Sequence, residues 1–144
     1  MVKNLIIRIL GNDLEGLHGQ NQTLDNLNFT LENEPEFPNC KKMFLLNRIY
    51  DTKKLEEIKN ILKKHNHQFV EIPFDINEFN NINSVNLDSI IKQDSSLTRN
   101  KKHAVQSLYP YNLYLVNNNG SRNYCIDYGK KNGYNWTFAL DSNS

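Results

Sequence analysis

The sequence predicts an α/β domain, a mainly parallel sheet with helices on both faces. Three observations carry this. Short apolar runs stand at Leu5–Leu10, Met43–Leu46, Gln68–Ile72 and Trp136–Leu140. Most are continuous rather than alternating with polar residues, as in strands covered on both sides. Segments with apolar residues at helical spacing separate them, which is the alternation of a layered α/β sheet. At 144 residues the chain fits one domain, residues 1–144, large enough to bury a core without covalent staples.

The elements follow in order. Leu5 to Leu10 reads as a buried strand, stopped by the turn-forming Gly11-Asn12-Asp13. A loop through Gly16 and Gly19 leads to a helix carrying Leu24, Leu27 and Leu31, with Asn21 or Thr23 as its cap. Pro35 and Pro38 end it. Met43-Phe44-Leu45-Leu46 is the second strand. Asp51-Thr52 opens the most regular helix, with Leu55, Ile58, Ile61 and Leu62 in one stripe. Its order of charge, Glu56 and Glu57 early and Lys63, Lys64 and His65 late, complements the helix dipole. Gln68 to Ile72 is the third strand, closed by Pro73. Residues 75–100 read as a long insertion or flexible loop with a short helix around Leu87–Lys92. A helix is expected from Lys101 to about Tyr109, interrupted by Pro110. Asn117-Asn118-Asn119-Gly120 reads as a turn, Ser121 as the cap of the next helix, and Asn132-Gly133 as its C-terminal cap. Trp136 to Leu140 is the last strand, with Trp136 and Phe138 read as packing residues, and it delivers Asp141-Ser142-Asn143.

Composition removes several functions. Lys plus Arg is 17 and Asp plus Glu is 16, a formal charge of +1, so the basic face of a nucleic-acid binder is missing. No apolar run approaches the roughly 20 residues of a membrane helix. Arg8 interrupts the only candidate signal-peptide core. Two cysteines, Cys40 and Cys125, make no disulfide framework. The expected setting is cytoplasmic, with no membrane span; homo-oligomerisation stays open. The 24 Asn residues are spread along the chain and read as the composition of an AT-rich genome, so the four Asn-x-Ser/Thr triplets are read as chance.

In parallel sheets ligands bind beyond the carboxyl ends of the strands. The polar groups there are Gly11-Asn12-Asp13, Asn47-Arg48, Phe74-Asp75 and Asp141-Ser142-Asn143. Asn118 to Asn123 opens a helix, whose free amides with Arg122 beside them suit an anion. Asp141 and Asn143 are hard oxygen ligands at alternate positions, suited to Mg²⁺ or Mn²⁺ held partly by a bound phosphate.

These residues reach a family. Asn119-Gly120-Ser121-Arg122-Asn123, a helix, then Trp136-Thr137-Phe138-Ala139-Leu140-Asp141-Ser142-Asn143 resembles the N-x-G … R-N … L-D-x-D signature of GT-A glycosyltransferases, particularly the family-2-like group. Arg8 to Leu14, with Gly19 to Leu24, also looks like the start of glycosyltransferases of polysaccharide synthesis. The likeness covers nearly the whole chain in element order, and its specificity lies mostly in residues 117–143. It implies a GT-A/Rossmann-like fold, a nucleoside-diphosphate sugar donor, a glycan or polysaccharide acceptor and Mn²⁺ or Mg²⁺ as cofactor. By that likeness Asp141 and Asn143 stand for the two ends of the D-x-D motif, Asn replacing the second acid. Arg122 and Gly120 stand at the nucleotide, closer together than in the family's common form. Asn12 and Asp13 stand where the base is contacted, and Asn47 and Asp51 stand near the base or ribose, although Asp51 is equally a helix cap. The family's catalytic base follows the D-x-D strand, and Ser144 lies one residue past the motif. The expectation is therefore a fragment of a longer enzyme, one that binds donor more surely than it turns it over. No catalytic residue is assigned.

Other constellations read as structure. His65-x-His67 ends a Lys-rich helix without further zinc ligands nearby. His18 and His103 stand alone, Cys125 reads as core, and Arg99, Lys101 and Lys102 read as a solvated face. The rival reading is a non-catalytic, degenerate module of the same fold that assembles with another enzyme of a glycan pathway. A nucleotide-binding domain of other chemistry lacks its Walker or dinucleotide glycine fingerprint.

Overall fold

In the computed structural model, which describes residues 3–14, 18–82 and 110–141, the sheet is built around its first strand. The elements run β1 (Asn4–Leu10), α1 (Gln22–Asn33), β2 (Cys40–Asn47), α2 (Thr52–Lys64), β3 (Gln68–Ile72), α3 (Ile76–Asn80), α4 (Pro110–Val116), α5 (Asn118–Lys131) and β4 (Trp136–Asp141). The strand order is β3-β2-β1-β4, and every pair is parallel. The α/β, Rossmann-like class read from the sequence is the class observed.

Period-two alternation divides the core. Leu10, Phe44 and Leu46 face α1 and α2, where Leu27, Ile49, Ile58 and Leu62 close one cluster. Leu5, Ile7, Ile9, Met43 and Leu45 face the other way, against Cys125 and Tyr128 of α5. Helices therefore cover both faces, and β1 and β2 have buried residues on each. β4 lies at the edge. Its Thr137 is in register with Leu5 on the α5 side, and Phe138 with Ile6 on the other. There Trp136 and Phe138 stand 68% and 48% exposed, so the packing role expected for them is not what the described residues give them. α5 lies close on β4 because Gly129 has no side chain. A Cβ there would stand 1.8 Å from Thr137 Oγ1.

Several local expectations change. Asn21 occupies the N-cap position of α1 but in a left-handed conformation without a side-chain cap, and Thr23 lies inside the helix, so neither caps it as expected. α4 is described from Pro110 onward, so the helix break expected at Pro110 lies at the edge of the described residues. The turn expected over four residues is one residue, Asn117 at φ 46°. Ser121 sits inside α5 and bonds Asn118 O at 3.0 Å, so it is not the cap. Asp75 caps α3 through the N–H groups of Asn77 and Glu78, a helix the sequence reading left as loop. The expected helices at 87–92 and 101–109 lie outside the described residues. The C-terminus of α5 is as expected: Gly133 at φ 78°, with Gly133 N–H donating to Lys130 O and Tyr134 N–H to Gly129 O, a Schellman closure.

Candidate functional site

A cavity of about 300 Å³ opens beyond the carboxyl ends of β1, β2 and β4. The chain runs from β1 towards β2 and β3 on one side, while β4 joins on the other. The crossover loops separate between β1 and β4, which is where parallel sheets leave room for a ligand. Asn12 and Asp13 line the cavity from the end of β1, Asn47 from β2 and Asp141 from β4. Gln22 and Thr23, the first residues of α1, and Asn118, the first of α5, also line it. Two helix N-termini thus face one space, and each presents partial positive charge.

The walls are held by side chains the sequence reading had assigned to a ligand. Asp13 is 5% exposed. Its Oδ1 accepts from Thr23 N–H at 2.9 Å and lies 2.9 Å from Thr23 Oγ1, so it caps α1 from ten residues away. Its Oδ2 pairs with Lys54 Nζ at 3.0 Å. Asn12 accepts from Tyr50 N–H at 3.0 Å and donates to Arg48 O at 2.7 Å. Asn47 is buried and accepts from Asn117 Nδ2 at 3.0 Å.

The end of α4 is gripped from the strands. Arg48 Nη1 donates to Tyr114 O at 2.9 Å, Asn12 Nδ2 to Leu115 O at 3.4 Å and Asn47 Nδ2 to Val116 O at 2.8 Å. Three consecutive carbonyls, which a helix end leaves without intrahelical donors, are thereby satisfied. Arg48 also stacks on the Tyr114 ring at 3.9 Å. Burial, with the Glu78 carboxylate near the hydroxyl, raises the Tyr114 phenol above its ordinary value despite the Asp75 backbone contact. This grip fixes the Asn117 corner and so aims the start of α5 at the cavity.

Asp51 caps α2 through Lys53 and Lys54 N–H, at 3.1 and 3.2 Å, and lines a smaller recess beside Asn12 and Asp13. Gly120 lies in the first turn of α5 away from the cavity. A Cβ there would strike Asn117 Oδ1 at 2.2 Å, so its smallness serves the corner. Arg122 and Asp141 do meet: Nη2 is 2.7 Å from Oδ2, at the rim, with side chains 51% and 44% exposed. Asn143 lies outside the described residues. Among those described, no group of three or more His, Cys, Asp or Glu stands together as a metal site. His65 Nδ1 lies 2.9 Å from Ile61 O, and His67 meets the Phe44 ring edge-on, so the two histidines serve the end of α2.

His18 is the cavity residue the sequence reading passed over as isolated. The usable signal was its place in the loop after the first strand, at the sheet's carboxyl end. Thr23 reads from sequence only as a helix cap, whereas Asn118 reads both as part of a turn and as the start of the helix offered to an anion.

Chemically, the cavity is a small polar cleft whose two carboxylates, Asp13 and Asp141, each already face a cation. With two helix starts added, it suits an anion carrying its own cation. The class so defined is an α/β protein with a parallel sheet and a cleft at its crossover point. No family model matches the chain, and neither does any curated protein or solved structure.

Proposed function

We propose that the cleft binds a nucleoside-diphosphate sugar and that the chain is the donor-binding domain of a glycosyltransferase of glycan or polysaccharide synthesis. The observation that carries this reading is the meeting of Arg122 and Asp141 on the rim, 2.7 Å apart, beside a cavity at the crossover of β1 and β4. An exposed pair of this kind contributes only about 0–1 kcal/mol to the fold. Arg122 therefore exchanges a carboxylate for a phosphate at little cost, and its planar fork suits that acceptor. Asp141 then turns to a cation. One carboxylate does not make a protein cage, but it fits Mn²⁺ or Mg²⁺ whose other ligands are diphosphate oxygens and water. Such an ion, when bound, offsets the charge that develops on a departing nucleotide. The start of α5 supplies further donors for phosphate.

Calorimetry with UDP- and GDP-sugars in Mn²⁺ tests the reading. One donor should give heat and raise the melting temperature. Asp141→Ala should lose the Mn²⁺-dependent part of that binding while melting normally. No heat and no melting shift across the panel rejects the proposal. If Asp141→Ala binds as the parent does, the cation sits elsewhere.

A second reading, the non-catalytic module, draws on a specific observation. Asn12, Asp13 and Asn47 are all engaged in bonds internal to the fold. Donor hydrolysis separates the two. Slow release of free sugar supports the enzyme, and silence with the fold intact supports the module.

A further inference from the structure

We propose that His18 is a phosphate-contacting residue of the cleft, donating its Nε2–H to the diphosphate. This rests on the donor-site reading and names a contact that reading did not include. His18 lines the cavity. Its Nδ1 is turned back onto its own loop, 3.0 Å from the Leu14 N–H. An N–H can only donate, so Nδ1 is the acceptor, and the proton of the neutral ring sits on Nε2. The ring is held at both ends of this turn, because His18 N–H donates to Leu14 O at 2.8 Å. Among the described residues no acceptor is bonded to Nε2. The imidazole therefore offers one oriented donor on the far side of the ring from Leu14. His18 lines the same cavity as the start of α1, where Thr23 N–H is already taken by Asp13. A fixed donor next to an occupied helix start supplies the hydrogen bond that start lacks. The ligand chemistry this suits is an anionic oxygen rather than a base edge, since the ring presents a donor alone.

The two nitrogens have different tasks, so two amides separate them. Asn at this position keeps an acceptor near Leu14 N–H but does not reach the Nε2 position. Gln reaches that position with an N–H but gives up the Leu14 bond. Binding of UDP and GDP with Mn²⁺ is measured by calorimetry for the parent, His18→Asn and His18→Gln, with uridine and guanosine as controls and with melting curves of each protein. The expected result is that His18→Asn melts like the parent but binds the responding diphosphate about tenfold or more weakly. His18→Gln should stay closer to the parent in affinity even if it melts lower. The nucleoside without phosphate should be indifferent to either change. The proposal is overturned if His18→Asn binds the diphosphate as the parent does, if His18→Gln is weakened as much as His18→Asn, or if the nucleoside shows the same loss. In these cases the parent still binds, and the donor-site reading stands. A parent that binds neither diphosphate overturns both.

Discussion

At the residue scale, Asp13 ties the end of β1 to both α1 and α2. One carboxylate caps α1, bonds the Thr23 hydroxyl and pairs with Lys54. Removing it leaves a buried helix start and an ammonium without their partner. Asp13→Ala is therefore expected to lower the unfolding free energy by about 2–4 kcal/mol, and Asp13→Asn by about 1 kcal/mol because an acceptor for Thr23 remains. Urea unfolding of both variants checks this. Equal losses would mean that the Lys54 pair, not the cap, carries the energy. The two cysteines differ just as sharply. Burial pushes the Cys125 thiol up to about 12, whereas Cys40 is partly exposed at the start of β2. A thiol reagent at neutral pH should label one cysteine in the native protein and two in denaturant, since only the thiolate reacts. Two native labels would place Cys125 outside the core. These residues also show what a sequence hides. The caps at Asp51 and Asp75 act on N–H groups two and three residues away, so they are local signals. The partners of Asn12, Asp13 and Asn47 lie 10 to 103 residues away, and no spacing rule points to them. The same polar residue type at the same strand end serves ligand binding or loop anchoring, and only its distant partners decide which.

At the scale of elements, the strands and the long helices were legible because burial imposes a period on them. Leu55, Ile58 and Leu62 recur at helical spacing and pack under one face of α2. Runs such as Leu5 to Leu10 are apolar on both faces because helices lie on both. The short elements were not legible. α4 and α5 meet at a single left-handed Asn117, and three strand-end side chains grip the carbonyls before it. A run of Asn reads as a long turn when only composition is visible, since Asn favours turns by itself. Close packing was equally invisible, because Gly129 in a helix reads as a weak point. In the fold it is what lets α5 approach Thr137. Gly129→Ala should cost about 1–3 kcal/mol through overpacking. Adding Thr137→Ala removes the nearest atom, at 1.8 Å, and leaves Thr137 Cβ at 2.9 Å, so part of the loss should return. A double-mutant cycle should give a coupling of about 1 kcal/mol. Simple additivity would show that α5 shifts freely over β4.

At the scale of the molecule, the topology that creates the cleft also places two titrating groups where acid acts on the whole fold. The alternation of strands and helices was readable, whereas the strand order that puts β4 beside β1 and opens the crossover was not. On the α1 side of the sheet, Glu34 follows α1 and pairs with Arg8 of β1 and with Lys42 of β2. Burial raises its carboxyl, but Arg8 and Lys42 outweigh that, and the net position is below the ordinary 4.5. His67 lies just before β3. Burial and the neighbouring His65 both lower its imidazole below the ordinary 6.5, against a smaller pull from Glu36. Both groups hold protons less tightly when folded than when unfolded. Stability therefore rises with pH wherever the unfolded chain alone binds the proton. For His67 the contribution is full above 6.5 and is lost as pH falls through its lower folded value. For Glu34 it is full above 4.5 and is lost on further acidification. The unfolding free energy should thus decline in two stages below neutrality. His67→Gln should flatten the first stage and leave the second. Glu34→Gln should flatten the second, while lowering stability at neutral pH by about 1–3 kcal/mol because Arg8 loses its carboxylate. Urea titrations of the parent and both variants near pH 7.5, 5.5 and 3.5 resolve the stages by the linkage relation. If Glu34→Gln keeps the parent's decline between the two lower values, the Arg8 pair is not where acid enters, and the loss belongs to the remaining carboxylates.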